Sequence, residues 1–281
     1  MKTIVTHISV DQDAVASAWL VKRYMPEFAD AEIMFVSAGK TLDDKKPDED
    51  PDVIHVDTGL GRFDHHQLTD PTQRFSATER VLTYLKNEGH LRQHDVEALQ
   101  RMTDHITQID HFKEVFYPDP TADRYDFMLR QIIDGMKINR MKDEDIVKLV
   151  FKCLDAIFLV IRQKIAAEGE ISKGYIFESK WGKTIAMDTK NEEALKHALK
   201  SGYRVVIKRD PNSGHFRIKS LPVKEIDLTL VYEILLTKDP KATWYLHGSK
   251  HMLLNGSSKR PDSIASSLSL PQVIEIIRSI N

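Results

Sequence analysis

The amino-acid sequence predicts an α/β protein: an N-terminal, mainly parallel sheet with crossover helices, a helical middle, and a smaller C-terminal α/β domain. Three observations predict it. Short apolar runs at 3–8, 32–37 and 53–56 alternate with helical periodicity over 14–24, the pattern that parallel strands and crossover helices leave in a sequence. Helical spacing of apolar residues then takes over at roughly 77–88, 94–112, 123–138 and 144–168. Beyond Gly169 the extended runs return.

Taken in order, the first strand runs into His7 and is followed by Asp11-Gln12-Asp13. Val15, Ala18, Trp19 and Tyr24 give the next stretch its helical face, and Pro26 stops it. The charged stretch 41–51, with Pro47 and Pro51, reads as a loop, and 53–56 as a third strand ending on Asp57-Thr58-Gly59. The 144–168 helix is long enough to run from one domain into another, so the expected divisions are 1–140, a connecting helix at 141–170, and 171–281. In the last of these, 175–177, 183–187, 203–208 and 215–219 look extended, and Asp210-Pro211-Asn212-Ser213-Gly214 is a hairpin turn joining the final pair. No internal repeat is visible.

Composition narrows the function classes. A chain of 281 residues suits two domains better than one. Its formal net charge of −2 gives no global positive field, so any polyanion must meet a local basic patch. The single cysteine, Cys153, excludes a disulfide framework and a thiolate metal site within the chain, and its apolar surroundings predict a buried small hydrophobe. Residues 1–7 lack a basic region followed by an apolar stretch, so no secretory signal is expected. The apolar stretch 146–165 is interrupted by Lys148, Lys152, Asp155 and Arg162, so it is expected to be a buried helix and not a membrane span. The expected location is cytoplasmic, with no membrane partner; the oligomeric state stays open, a homodimer included.

Two groups of residues carry chemistry. His7-x-x-x-Asp11-x-Asp13 falls where a strand gives way to a helix, and in open α/β sheets ligands bind at the carboxyl ends of strands. Nitrogen and oxygen donors without thiolate favour manganese, magnesium or zinc. The plain alternative is a polar loop with Asp13 capping the helix. Asp57 closes the third strand in the same layer, and Phe63-Asp64-His65-His66-Gln67 follows soon after. His55 shares the face of Asp57 and is read as a packed neighbour. One more carboxylate would complete a site for two ions about 3.5–4 Å apart. The stretch 102–112 offers Asp110, the preferred choice, and Asp104.

The run His7-Ile8-Ser9-Val10-Asp11-Gln12-Asp13-Ala14-Val15-Ala16-Ser17 resembles the first motif of the DHH phosphoesterase superfamily, which includes RecJ-type exonucleases, oligoribonucleases and family II inorganic pyrophosphatases. Asp57 corresponds to its second motif and Asp64-His65-His66 to the one that names it. Val56-Asp57-Thr58-Gly59 followed by Arg62-Phe63-Asp64-His65-His66-Gln67 is similar to the Myg-type exonuclease branch. Late in the chain, Trp244-Tyr245-Leu246-His247-Gly248-Ser249 and Asn255-Gly256-Ser257-Ser258-Lys259-Arg260 resemble that branch's hydrophobic-His-x-Ser motif and glycine-bearing loop. The first motif follows the wider superfamily instead of the branch, and the late loop has one glycine where the branch has a pair.

The resemblance implies a DHH-type catalytic domain at 1–140 and a substrate-binding domain at 171–281. It implies a manganese-dependent phosphoesterase that hydrolyses phosphodiester bonds of oligonucleotides or RNA and DNA ends with a two-metal-activated water. His7 and Asp11 would hold one manganese ion, Asp13, His65 and Asp110 the other, and Asp57 both; magnesium or another divalent ion is the alternative. His66 would contact the scissile phosphate, and Asp64 would orient a histidine. His247, Ser249, Asn255, Gly256, Ser257, Lys259 and Arg260 would meet the substrate. Arg204, Lys208, Arg209, Arg217 and Lys219 crowd the predicted hairpin, either as a solvated face or as a phosphate patch. Trp244, Tyr245 and Phe216 are core residues or a platform for bases. The rival readings are a hydrolase of pyrophosphate or a nucleotide bisphosphate, and an inactive nucleotide-binding protein.

Overall fold

A computed structural model describes residues 1–67, 75–256 and 260–280. The chain divides into two compact units, Met1–Arg162 and Gln163–Asn281.

The first unit is built on three parallel strands, β1 (Thr3–His7), β2 (Glu32–Val36) and β3 (Val53–His55), in the order β2-β1-β3. Ile4 and Val5 of the central strand are fully buried, as a strand between two parallel neighbours requires. Helix α1 (Gln12–Tyr24) follows at once, and its run from Gln12 to Val21 is buried without a break. Pro26 ends it, as the sequence predicts. Helices α2 (Ala77–Asn87), α3 (Gln93–Asp110), α4 (Leu129–Ile138) and α5 (Asp143–Ile171) make up the helical middle. One expectation about the elements needs correction: residues 123–128 are not α-helical. The division between the two units, at Arg162 and Gln163, falls within α5. The expectation of a buried 146–165 helix fails on one face: Ile146, Val150, Leu154 and Phe158 are buried, while Leu149, Leu159 and Val160 are exposed and Cys153 is half-buried. Among the described residues no helix is long and apolar enough to cross a membrane.

The second unit is one six-stranded sheet. Its strands are β4 (Tyr175–Ser179), β5 (Gly182–Asp188), β6 (Val205–Arg209), β7 (Phe216–Ser220), β8 (Trp244–Leu246) and β9 (Met252–Asn255), in the order β4-β5-β6-β7-β9-β8. β5 and β6 are parallel and joined by helix α6 (Glu192–Lys200); the other pairs are antiparallel. Side chains of β6 alternate between two cores. Val205 and Ile207 pack with Phe216 and Ile218, and with residues of helices α7 (Thr229–Lys238) and α8 (Leu270–Arg278); Val206 packs with Ala194, Leu195 and Ala198 of α6. The hairpin at Asp210–Gly214 is where the sequence puts it, closed by the Gly214 amide donating to the Asp210 carbonyl. Helices α6, α7 and α8 and strands β8 and β9 lie outside the sequence reading. For α7 the reason is physical: Leu230-Val231-Tyr232 and Ile234-Leu235-Leu236 are apolar almost all round, so no amphipathic period announces a helix.

A candidate metal centre at the carboxyl ends of β1 and β3

The site begins with His7, the last residue of β1. Its Nδ1 lies 2.9 Å from the Ile8 carbonyl and donates to it, which turns Nε2 toward Asp57 Oδ2 at 3.3 Å and Asp11 Oδ2 at 3.8 Å. Asp11 caps α1: Oδ1 accepts the Ala14 amide at 3.0 Å, and Oδ2 stays available. The loop between them takes a left-handed turn at Ser9 (φ 58°). It is held from a distance, because the Asp143 carboxylate accepts the amides of Ser9 at 2.8 Å and Val10 at 3.1 Å.

Asp13 does not cap its own helix. Its two oxygens accept the Ala77 amide at 2.7 Å and the Thr78 amide at 2.9 Å, so it caps the start of α2 and ties two helices together. Each carboxylate oxygen keeps a second lone pair for another partner.

Asp57 follows β3 in a left-handed conformation (φ 55°), which Asp and Asn tolerate better than most residues. Gly59 continues the turn at φ 81°, where a Cβ would fall 2.9 Å from Thr41 Cγ2. The chain thereby doubles back, and the Asp57 amide donates to the Phe63 carbonyl at 3.1 Å. Phe63 is buried edge-on to Tyr84, with ring centroids 5.2 Å apart, and fixes the start of the Asp64-His65-His66 run. His65 Nε2 then lies 3.4 Å from Asp57 Oδ1, 3.6 Å from Asp110 Oδ2 and 3.8 Å from Asp13 Oδ2. Asp64 points elsewhere. It accepts the Leu60 amide at 2.7 Å, and the His66 ring Nδ1–H at 2.8 Å.

Three groups of ligand atoms therefore converge, with all members of each within 4.8 Å of one another: His7, Asp11 and Asp57; Asp13, His65 and Asp110; and Asp57, His65 and His66. Such spacing suits ligand atoms lying about 2.0–2.6 Å from a common divalent ion. Asp57 Oδ1 and His65 Nε2 are buried without a hydrogen-bond partner among the described residues. An orphaned donor or acceptor in that position is costly, and a cation removes the cost by taking the lone pairs. The donors are carboxylate and imidazole without thiolate, a set that suits a divalent ion such as manganese, magnesium or zinc.

Electrostatics fit the same description. Burial, then the nearby charges of Asp57 and Asp110, push Asp13 up to about 8. Burial disfavours a charged His7 ring, yet the bond to Asp57 and the Asp11 charge raise it to about 9. His65 also reaches about 9 against its burial, drawn up by Asp57, Asp110 and Asp13. Burial works to raise Asp57, but the rings of His65 and His7 hold it below the usual carboxylate range. Asp64 resists burial and falls to about 2 because His66 and Leu60 donate to it. In return Asp64 raises His66.

The other sequence-selected residues are placed as follows. Asp110 ends α3 beside His65, whereas Asp104 accepts from Gln100 at 2.7 Å on the exposed side of the helix. His55 is a packed neighbour: Nε2 accepts the Leu42 amide at 3.0 Å, and burial lowers its pKa. In the second unit, the exposed His247 ring pairs with Ser249 at 2.9 Å. Asn255 is buried: its amide donates to the Thr243 and Ile264 carbonyls and accepts the Ser266 amide, and the residue also lines the pocket that holds Gly256 and Arg260. Gly256 (φ 84°) and Arg260 line a pocket of about 260 Å³ with Lys208, His215 and Arg217. Glu192 pairs with both Lys208 and Arg217, so that patch is partly neutralised. Ser257 and Lys259 lie outside the described residues. Phe216 and Trp244 are core, and Tyr245 is exposed. Asp143 escapes sequence reasoning because nothing local links it to Ser9 and Val10, more than 130 positions earlier.

No protein-family model and no curated protein matches the chain. Among solved structures, it is similar to a pGpG-specific phosphodiesterase, PggH from Vibrio cholerae, at 16% identity and a TM-score of 0.35, over 98% of both chains. It is similar to RecJ in complex with Mg2+ from Thermus thermophilus, at 12% identity and a TM-score of 0.34, over 99% of this chain and 49% of that one. A third is a DHH domain described as a member of the s1p family of ribosomal proteins, at 10% identity and a TM-score of 0.32, over 98% of this chain and 85% of that one. None of the three is named as a Myg-type protein. Scores of this size carry no argument for an activity, and the chemistry rests on the side chains around Asp57.

Proposed function

We propose that this chain is a metal-dependent phosphoesterase of the DHH type that hydrolyses phosphodiester bonds of oligonucleotides or of RNA and DNA ends, with two manganese ions as its cofactor. The observation that carries the reading is Asp57, whose Oδ2 lies 3.3 Å from His7 and whose Oδ1 lies 3.4 Å from His65. One carboxylate with an oxygen toward each histidine is what a shared ligand between two ions requires. His7 and Asp11 would hold one ion, and Asp13, His65 and Asp110 the other. When bound, two divalent ions acidify water and neutralise charge on the phosphoryl oxygens.

The remaining side chains handle protons and position. The His66 ring donates its Nδ1–H to the Asp64 carboxylate, which leaves Nε2 as the atom that would carry a proton to the departing oxygen. The Asp64 carboxylate raises the proton affinity of that ring, so Nε2 keeps its proton nearer neutrality than an unassisted histidine would. In the second unit the pocket beside Gly256 carries Arg260 as a basic group for a phosphate, while Glu192 pairs with Lys208 and Arg217.

A substrate panel tests the reading. Oligoribonucleotide, oligodeoxyribonucleotide, pyrophosphate, a nucleotide bisphosphate and bis(p-nitrophenyl) phosphate are each incubated with manganese and with chelator. The oligonucleotides and the chromogenic diester are expected to be cut with manganese and left intact with chelator. Preference for pyrophosphate would replace this substrate class, and no metal-dependent cleavage of any member would end the proposal.

Asp143 gives a second check. Asp143→Ala removes both acceptors of the Ser9 and Val10 amides, so stability is expected to fall by about 1–2 kcal/mol in a denaturant titration. The turnover number is expected to drop by roughly tenfold or more, since a loosened loop misplaces His7 and Asp11.

A further inference from the structure

The carboxyl ends of β1 and β2 carry an open pocket of about 590 Å³ that no metal ligand uses. Ile8, Phe35 and Met141 are its apolar lining, and Lys137 and Lys142 its basic lining. The pocket is joined to the candidate metal centre through the backbone. Ile8 follows His7, its carbonyl accepts a hydrogen bond from the His7 ring Nδ1–H, and Phe35 pairs with Thr6 in the strand register. The metal ligands use the β1–β3 side of the central strand's end, and this pocket uses the β1–β2 side.

Its lining is selective in three ways. The apolar lining is accessible: Ile8 is 52% exposed and Met141 36%. Pyrophosphate has no apolar surface to place there, whereas a nucleobase has two faces. The rim carries usable positive charge. Lys137 lies 3.8 Å from Asp134, but Lys142 has no ion pair among the described residues. The acids differ too. Asp143 is spent on the Ser9 and Val10 amides, which leaves the Glu144 carboxylate to accept from a ribose hydroxyl or a base amino group. The volume falls inside the range of about 300–1,000 Å³ typical of small-molecule sites and suits one nucleoside with its phosphate.

We infer that this pocket takes the nucleoside attached to the scissile phosphate, with its base on Ile8, Phe35 and Met141 and a non-scissile phosphate against Lys142. The inference rests on the phosphoesterase reading and sharpens it: the substrate class is a nucleotide diester and not pyrophosphate.

The test has a readout apart from turnover. The full-length chain, stripped with chelator, is titrated into N-methylanthraniloyl-GMP and followed by fluorescence anisotropy, with GMP and pyrophosphate as competitors. GMP is expected to displace the label at a concentration at least about tenfold lower than pyrophosphate. Lys142→Glu is expected to weaken label binding about tenfold, and Lys142→Arg by less than about threefold. Phe35→Ala is expected to weaken it roughly fivefold or more. Equal displacement by pyrophosphate, or unchanged binding in Lys142→Glu, overturns the inference. With manganese present, Lys142→Glu should raise KM for a dinucleotide at least about fivefold more than KM for bis(p-nitrophenyl) phosphate. Equal changes also overturn it, while cleavage of the chromogenic diester by the unaltered chain leaves the phosphoesterase reading standing. If the unaltered chain shows no manganese-dependent cleavage at all, both fall.

Discussion

Asp57→Asn is expected to lower manganese-dependent hydrolysis on the order of 10³-fold or more, with the fold intact. The substitution keeps the shape of the side chain and, at φ 55°, keeps a residue type that accepts the left-handed conformation. Alanine would add a backbone cost of about 1 kcal/mol or more at the same place, so asparagine separates chemistry from folding. What asparagine removes is the second anionic oxygen. His7 at 3.3 Å and His65 at 3.4 Å then share one neutral amide, and no single carboxylate serves both ligand groups. Calorimetric titration with manganese should show fewer than two ions bound per chain, while circular dichroism stays that of the unaltered protein. Retention of the rate within about threefold would mean that the reacting site lies elsewhere on the chain.

That the sequence alone points to most members of this cluster of histidines and aspartates is a consequence of their chain order. His7, Asp11 and Asp13 lie on one strand-to-helix turn, and Asp57 and His65 on one doubled-back turn, so local spacing records most of the geometry. Asp110 was harder. The α3 helix offers two candidate carboxylates by residue type, and only the three-dimensional path shows that Asp110 meets His65 while Asp104 turns to Gln100. Asp13 shows the opposite limit. The sequence places Asp13 among the candidate ligands, and its plain alternative makes it the cap of its own helix α1. In the fold its oxygens reach the first amides of α2, sixty-four and sixty-five residues on. Tertiary pairing of this sort leaves no local trace, and neither does the anchoring of Ser9 and Val10 by Asp143.

The fold class was legible for the same reason that parallel strands are: Ile4, Val5 and Ile54 form short runs buried on both faces, and period and length distinguish them from helix. The second unit was only half legible. β6 and β7 announce themselves by β-branched residues around a turn, but α7 is apolar almost all round, and the pairing of β9 beside β7 depends on contacts made far apart in sequence. Asn255 belongs to this class. Its neighbours Gly256 and Ser257 suggest a ligand loop, whereas its buried amide holds Thr243, Ile264 and Ser266 together.

Manganese affinity is expected to rise steeply with pH between about 6.5 and 9, by roughly tenfold per pH unit or more, because ligands must lose protons before they hold an ion. In the metal-free protein His7 and His65 rise from 6.5 to about 9 and Asp13 from 3.8 to about 8. Each of these groups binds its proton more tightly folded than unfolded. The stability contributed by the histidines is therefore complete below pH 6.5 and is lost as pH climbs through 9. The Asp13 contribution is lost between 3.8 and about 8, in the same direction. Asp57 and Asp64, held below their ordinary values, lose stability only on acidification, well outside this window. The metal-free Tm should fall from about pH 6.5 to about 9, and added manganese should cancel the fall, so the gap between the two curves widens with pH. Calorimetry in two buffers of different ionisation enthalpy should count about three protons released per chain near pH 7 and close to none above about pH 10. A proton count of zero near pH 7, with a flat metal-free Tm, would show that these three side chains do not share one field, and the assignment of Asp13, His7 and His65 to a common centre would fail with it.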